Sequence, residues 1–222
     1  MSNSKKIEQL VNTLKSNKNV KIGEMRIDKP ETEQGFAEGL ADLNDLATEQ
    51  GRILHIDETV KSAFLNLSTC MFTWRADKYK IDSSVQIRSL GMVVGGFLLD
   101  EWKDKIWFDD IGEPEEREEI KLCLPFDWYN GADGQGACLR IKDNTLTDEV
   151  WLYDMNMEGK VYPMGLNLQQ YFDLMIECRG FQGWQDAYFS KYSEGRKRFE
   201  EFFPEIFPDA DMAALLAKFG KD

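Results

Sequence analysis

The spacing of apolar residues changes twice along this chain, and the change constrains the fold more than any other feature of the sequence. Before residue 68, several segments place apolar side chains three and four positions apart, as amphipathic helices do. Between residues 69 and 165, several segments alternate apolar and polar side chains, as strands with one buried face do. Helical spacing returns after Asn167. This order favours an α+β fold: a central, mostly antiparallel sheet of about five to six strands, packed by helices from the N-terminal and C-terminal parts.

Three helices are predicted before the strands. Residues 4–16 carry one apolar stripe, and residues 33–49 carry a second, with Gly51 placed to end that helix. A third helix is predicted after Asp57, whose carboxylate can cap its first turn. The segment between the first two helices, residues 16–31, is predicted to be a connector.

The central region is predicted to hold an antiparallel meander. Cys70, Phe72 and Trp74 fall on one side of its first strand. Asn-Gly and Asp-Gly steps between the later apolar runs favour hairpin turns. The predicted strands are 69–76, 83–90, 119–129, 136–143, 149–155 and 160–165.

The C-terminal third is predicted to be helical. One helix begins near Asn167 and another near Trp184, and the tail is expected to form two short helices broken at Pro204 and Pro208. The predicted organisation has three parts: an N-terminal helix and connector at 1–30, an α+β domain at 31–190, and a helical extension of that domain at 191–222.

The charge balance is the main signal about partners. The chain has 40 acidic and 27 basic residues, which gives a net charge of −13. Residues 1–30 are net +4, so residues 31–222 carry −17. Such a surface repels phosphate backbones, and we expect no nucleic-acid partner. It attracts a basic protein, although acidity can also serve solubility alone.

The sequence shows neither a membrane span nor a secretory signal. No apolar run approaches the roughly 20 residues that a membrane span needs, and the N-terminal sequence MSNSKKIEQL lacks the apolar region of a secretory signal. We therefore expect a cytoplasmic protein without a membrane partner, and we favour a monomer over an oligomer.

The cysteines and the single histidine give little support to metal or cofactor chemistry. The four cysteines are widely separated, which is typical of small buried side chains in a reducing compartment. A histidine-based triad would have to use His55 alone. We predict no cofactor and no metal site. The cysteines are Cys70, Cys123, Cys138 and Cys178.

One acidic set could support catalysis. Asp127, Asp133 and Asp154, with Asn130 nearby, could supply the paired carboxylates that glycoside hydrolysis requires. Asp, Asn and Gly are also the residues that tight turns use, because their side chains bond to the local backbone. The turn interpretation is preferred, and no catalytic residue is predicted.

The segment from Asp100 to Glu119 concentrates the negative charge. It holds ten acidic and three basic residues, with Trp102, Trp107 and Phe108 among them. It is interpreted either as a solvated loop or as a docking patch with aromatic anchors and a charged rim. The candidate partner-binding residues are Glu113, Glu115, Glu116, Glu118, Glu119, Asp109 and Asp110.

Four stretches of the second half resemble the SUKH superfamily, over residues 33–190 as a whole. Fungal members of that superfamily regulate cell-wall assembly, and bacterial members are largely immunity proteins of toxin systems. The resemblance implies an α+β sheet packed by helices, no catalytic apparatus, and a variable protein-binding surface. The stretches are KIWFDD, LPFDWYNGADGQGACLRI, EVWLYDM and LNLQQYFDLMIECRGFQGWQ.

Three hypotheses about function follow. The leading one is a non-enzymatic protein-binding domain of the immunity type, which neutralises a basic toxin partner through an acidic surface. The second is a regulatory scaffold of the cell-wall-assembly type. The third is a carboxylate-dependent hydrolase that uses Asp127, Asp133 and Asp154.

Overall fold

The structure of this chain is a computed structural model that describes six stretches of residues. They are 1–30, 32–65, 67–101, 113–130, 135–154 and 160–220, with the backbone alone described at positions 116, 129, 130, 154 and 160. These stretches form helices and one eight-stranded sheet, which confirms the predicted α+β class.

The helices follow the predicted pattern closely. The predictions at 4–16, at 33–49, after Asp57, after Asn167 and from Trp184 are confirmed. No helix in the described stretches has both the length and the apolar character of a membrane span. The helices are α1 (Asn3–Ser16), α2 (Glu33–Glu49), α3 (Glu58–Phe64), α4 (Leu90–Leu98), α5 (Pro114–Lys121), α6 (Leu168–Glu177), α7 (Trp184–Phe189), α8 (Glu194–Ile206) and α9 (Met212–Lys218).

The sheet contains the six predicted strands and two more. The strands are β1 (Lys21–Ile27), β2 (His55–Ile56), β3 (Cys70–Ala76), β4 (Ile81–Ile87), β5 (Cys123–Asn130), β6 (Gln135–Lys142), β7 (Thr145–Asp154) and β8 (Lys160–Asn167).

The strand order makes the sheet mixed but mostly antiparallel. Neighbours run β1-β3-β4-β5-β6-β7, each pair antiparallel. The far edge of β7 is shared by two strands. β2 pairs in parallel with Thr145 and Leu146, while β8 pairs antiparallel along residues 149–154.

The connector predicted at 16–31 is wrong, because its central part is the edge strand β1. Four consecutive residues of β1, from position 23 to 26, are exposed, so the strand lacks the alternation that reveals a buried face. Its register with β3 shifts between Ile22 and Met25, where the Glu24 N–H donates to the Thr73 hydroxyl at 3.0 Å. Charged side chains and a bulge are common on edge strands.

One hydrophobic core joins the sheet to helices from both ends of the chain. The apolar stripe of α1 is buried in it, and so are Phe199 and Phe203 of α8, whose rings stack at 4.4 Å. A smaller cluster lies on the other side of the sheet and contains Ile120, Cys123, Cys138 and Tyr153. The sheet is therefore covered on both faces over β5, β6 and β7.

The predicted helix break at Pro204 is wrong, because α8 continues to Ile206. Phe199, Phe203 and Ile206 keep helical spacing and are all fully buried. Pro204 removes one backbone N–H, whose helical acceptor would be the carbonyl of Glu200. Glu200 is exposed, so water can satisfy that carbonyl. The break at Pro208 is confirmed, since α9 begins at Met212.

The end of α6 depends on a left-handed turn. Gly180 has a φ of +60°, and its N–H donates to the Met175 carbonyl at 2.9 Å. The preceding carbonyl, of Arg179, accepts the indole N–H of Trp74 at 2.9 Å. A Cβ at position 180 would lie 2.5 Å from a methyl carbon of Val85. The turn therefore fixes α6 against β3 and β4.

Two glycine-to-alanine substitutions should have opposite effects on the free energy of unfolding. Gly180→Ala should lower it by at least about 2 kcal/mol, because a left-handed alanine is strained and its methyl group meets Val85. Gly39→Ala should raise it by up to about 1 kcal/mol, since Gly39 lies inside α2 with no atom within 4 Å of the new methyl group. Urea denaturation measures both, and equal effects would contradict this account of the turn.

Candidate protein-interaction site

The acidic segment predicted as a loop from Asp100 to Glu119 ends in a helix, so that part of the prediction is wrong. Residues 114–121 form α5, and the strand predicted at 119–129 begins only at Cys123. Pro114 is favourable in a first helical turn, and glutamate there and Lys121 in the last turn both suit the helix dipole. The high charge of this sequence concealed its helical propensity.

Among the described side chains of α5, Ile120 is the one that is buried, and it fixes the helix to the outer face of the sheet. Ile120 is 3% exposed and packs with Cys123, Cys138 and Tyr153. Glu113, Glu115 and Glu118 are exposed. The helix thus presents its carboxylates to solvent because its one apolar contact points to the sheet.

Two of the α5 carboxylates also make local ion pairs. Glu118 lies 2.7 Å from Lys121. Glu119 lies 3.2 Å from the Arg140 guanidinium, which stands 4.2 Å from the centre of the Trp151 ring. Exposed pairs of this kind contribute little to stability, typically less than about 1 kcal/mol. Their main effect is to orient α5 on β6 and β7.

The structure brings together four of the seven candidate residues. Glu113, Glu115, Glu118 and Glu119 lie at or within α5. The position of Glu116 in the helix is described, but its side chain is not. The other predicted members, Asp109 and Asp110, lie outside the described residues, as do the aromatic residues Trp102, Trp107 and Phe108.

A groove of about 780 Å³ opens where α5 ends, and it is called here the Arg52 groove. Arg52 fixes one of its walls: its guanidinium donates to the Phe97 carbonyl at 2.6 Å and to the Asp100 carboxylate at 2.7 Å. The same group stands 4.9 Å from the centre of the Phe97 ring. The lining residues are Gly51, Arg52, Ile53, Leu54, Phe97, Asp100, Lys121, Leu122, Ile141 and Asn144.

The groove has an apolar floor and exposed apolar lips. Leu54 and Ile141 are buried beneath it. Ile53 is 67% exposed and Leu122 is 38% exposed, and Leu99 beside Asp100 is 54% exposed. Apolar side chains clustered at a concave surface are typical of binding sites.

Helix α2 carries an acidic stripe that sequence reasoning missed. Residues 33–49 contain five acidic and no basic residues. Asp42, Asp45 and Glu49 are exposed and form no ion pair with any other described residue. The spacing of four, three and four residues could have revealed the stripe, since it places side chains on one side of a helix. Its members are Glu38, Asp42, Asp45 and Glu49.

Asp127, the first residue of the hydrolase hypothesis, lies inside the protein. It is 1% exposed, and its carboxylate accepts the Tyr171 hydroxyl at 2.7 Å and the Gln86 N–H at 3.3 Å. Tyr171 in turn accepts an N–H of the Gln185 amide at 3.1 Å. Burial raises the pKa of Asp127 to about 6, against the opposing effect of these hydrogen bonds. Asp133 and the side chains of Asn130 and Asp154 lie outside the described residues.

The position of Asp127 explains why it is buried. In the described residues, β4 and β5 pair at a single register position, Ile87 with Asp127. The Arg88 N–H donates to the Phe126 carbonyl at 2.8 Å, and the Asp127 side chain takes the next N–H along β4, that of Gln86. The carboxylate therefore replaces a backbone acceptor where the ladder is short.

The cysteines are buried, whereas the single histidine is exposed. All four cysteines are buried and free, and burial raises the thiol pKa of Cys70 and of Cys123 to about 12. His55 is exposed on β2. Within the described stretches, no group of three or more His, Cys, Asp or Glu side chains could hold a metal ion.

Comparisons with known proteins return no match to this chain. No family model, no curated protein and no solved structure is similar to it at a significant level. The functional argument therefore rests on the geometry and on the charges described above.

Replacing Asp127 should change how stability depends on pH. The folded-state pKa of about 6 lies above the ordinary value of 3.8, so folding favours the protonated form. The resulting stabilisation is present below about pH 4 and is lost as the pH rises through 6, by roughly 3 kcal/mol. Asp127→Asn cannot ionise at this position and therefore does not lose this stabilisation. The free energy of unfolding of Asp127→Asn minus that of the wild type should therefore increase between pH 4 and 7.

Asp127→Ala provides the contrast. It leaves the Gln86 N–H and the Tyr171 hydroxyl without their acceptor and should lower the free energy of unfolding by at least about 2 kcal/mol across this pH range. Urea denaturation at several pH values compares the three proteins. A constant difference between the wild type and Asp127→Asn would contradict a raised pKa.

Proposed function

We propose that this chain is a non-enzymatic protein-binding domain that recognises a basic partner through its acidic surface. The observation that carries the proposal is the convergence of two acidic helices on one apolar groove. Helix α2 ends two residues before Gly51, and α5 ends at Lys121; both of these residues line the Arg52 groove. An apolar centre with a charged rim is the usual composition of a protein interface.

The charges on α2 support a cationic partner in particular. Asp42 lies one turn from Glu38 and from Asp45, and such like-charged pairs each cost a helix a few tenths of a kcal/mol. Glu49 lies at the C-terminal end, where a negative charge also opposes the helix dipole. A basic partner would relieve both costs on binding.

Among protein-binding roles, we favour neutralisation of a toxin over regulation of cell-wall assembly. The resemblance of residues 33–190 to the SUKH superfamily is compatible with both. The immunity role is favoured because an inhibitor must associate quickly, and opposite charges raise association rates strongly. We expect this role to be carried out in the cytoplasm, where the toxin would act.

The contacts of Asp127 weigh against the alternative hydrolase. A catalytic carboxylate must reach a substrate in a cleft, whereas Asp127 is 1% exposed and is engaged by Tyr171 and Gln86. Its pKa of about 6 has a structural cause in burial alone. A raised pKa by itself therefore gives no reason to assign catalysis here.

Co-expression tests the immunity role. A toxin domain encoded beside this chain should arrest growth when expressed alone, and the wild-type chain should restore growth. Neutralising two exposed carboxylates of α5, in Glu115→Gln/Glu118→Gln, should weaken the complex about 3- to 10-fold at low salt, mainly through slower association. Surface plasmon resonance at two salt concentrations measures the affinity and the rates.

A matched control removes the same charge elsewhere. Glu8→Gln/Glu201→Gln changes two exposed carboxylates of α1 and α8 and should leave binding unchanged. Equal weakening of the complex by both double variants would show that the total charge of the chain, and not the position of the α5 carboxylates, controls binding. A complex that is insensitive to salt, or growth arrest that the chain does not relieve, would overturn the proposal.

A further inference from the structure

The exposed apolar side chains at the Arg52 groove are arranged as anchors for a partner. Ile53 and Leu122 both line the groove, the first in the loop after α2 and the second directly after α5. Both lie above a floor that includes Phe97 and the buried Leu54. A partner that inserts apolar side chains into the groove would remove Ile53 and Leu122 from water together.

The charges around the groove select for a basic partner. Its two cations are already engaged, Arg52 by Asp100 and Lys121 by Glu118, at 2.7 Å in each pair. The two helices that end at the groove carry exposed carboxylates within one turn of that end, Glu49 on α2 and Glu118 on α5. Lysine or arginine on either side of an apolar stripe would therefore meet negative charge on both flanks.

The origin of the lining residues argues against an extended peptide. Most of them come from helix ends, a loop and the hairpin turn between β6 and β7, and Ile141 comes from the last residues of β6. The neighbouring edge of β7 is covered at Thr145 and Leu146 by β2, and β2 itself is only two residues long, which is too short to align an added strand. An added strand needs an open sheet edge, whereas a helix satisfies its own backbone and docks through side chains.

We infer that the Arg52 groove binds an amphipathic helix of the partner protein, with an apolar stripe flanked by lysine or arginine. The inference rests on the proposed function and specifies the partner's recognised element. The groove exists before binding, because Arg52 ties the loop after α2 to the end of α4 through Phe97 and Asp100. Docking into a formed groove needs little rearrangement, which favours affinity.

A synthetic peptide tests the inference directly. The probe is a fluorescein-labelled helix of about 18 residues, five turns, with leucines at helical spacing and lysines on the flanking positions. A second peptide has the same composition in scrambled order, so that it has the same charge without an apolar stripe. The wild-type chain should bind the patterned peptide at least about tenfold more tightly, measured by fluorescence anisotropy at about 0.1 M ionic strength.

Variants of the chain locate the binding site. Ile53→Ser/Leu122→Ser removes the two exposed anchors and should weaken binding of the patterned peptide about tenfold or more. Met25→Ser/Tyr192→Ser removes two exposed apolar side chains elsewhere, which are 46% and 75% exposed, and should have no effect. Circular dichroism and urea denaturation confirm that each variant is folded.

The outcomes separate this inference from the proposed function. Equal binding of both peptides, or equal binding by the wild type and Ile53→Ser/Leu122→Ser, overturns the groove as a helix site. If Glu115→Gln/Glu118→Gln still weakens the toxin complex in that case, the acidic surface remains the interface and only the groove inference falls. Failure of growth rescue together with tight, groove-dependent peptide binding would instead reject the immunity role and retain the groove.

Discussion

The Asp127 carboxylate links both halves of the sheet to helix α6 at the junction where β4 and β5 pair least. In the described residues, β4 and β5 share a single register pair, so the Asp127 carboxylate supplies an additional acceptor to β4 through the Gln86 N–H. The Tyr171 hydroxyl brings α6 to the same carboxylate. Removing this group would leave the backbone hydrogen bond from Arg88 to Phe126 to join the two halves, and would remove the link from that junction to α6.

Because the main hydrophobic core covers one face of the sheet, the surfaces that can meet a partner lie on the other face and at the ends of helices. The outer cover of β5 to β7 is thin. Among the described side chains of α5, Ile120 is the one that is buried in the smaller cluster. A helix held by one apolar side chain keeps most of its surface exposed. The same arrangement that leaves the α5 carboxylates in water also places Leu122 at the lip of the Arg52 groove.

The sequence predicted the fold class and most elements, because buried faces leave a period in the sequence. It failed where burial was slight. β1 has four exposed residues in succession, and α5 has Ile120 as its buried anchor, so neither shows a clear period. The burial of Asp127 was also beyond local reasoning, since its partner Tyr171 is 44 residues away and the surrounding sequence is typical of a turn. Four of the candidate glutamates are exposed, and their role in binding stays a prediction, whereas the acidic stripe on α2 was missed because charge was counted by segment and not by helix face.

The contrast between α2 and α8 bears on whether the acidity serves solubility alone. The solvent-facing side of helix α8 is also charged, but it carries both signs, and it pairs Arg196 with Glu200 and Lys197 with Glu194. Such pairs keep a helix soluble and slightly stabilise it. Helix α2 has five acidic and no basic residues, so the carboxylates along it repel one another. Solubility alone does not require that cost, because paired charges of both signs achieve it on α8, and the acidic stripe of α2 is therefore the charge pattern that supports the proposed binding of a basic partner.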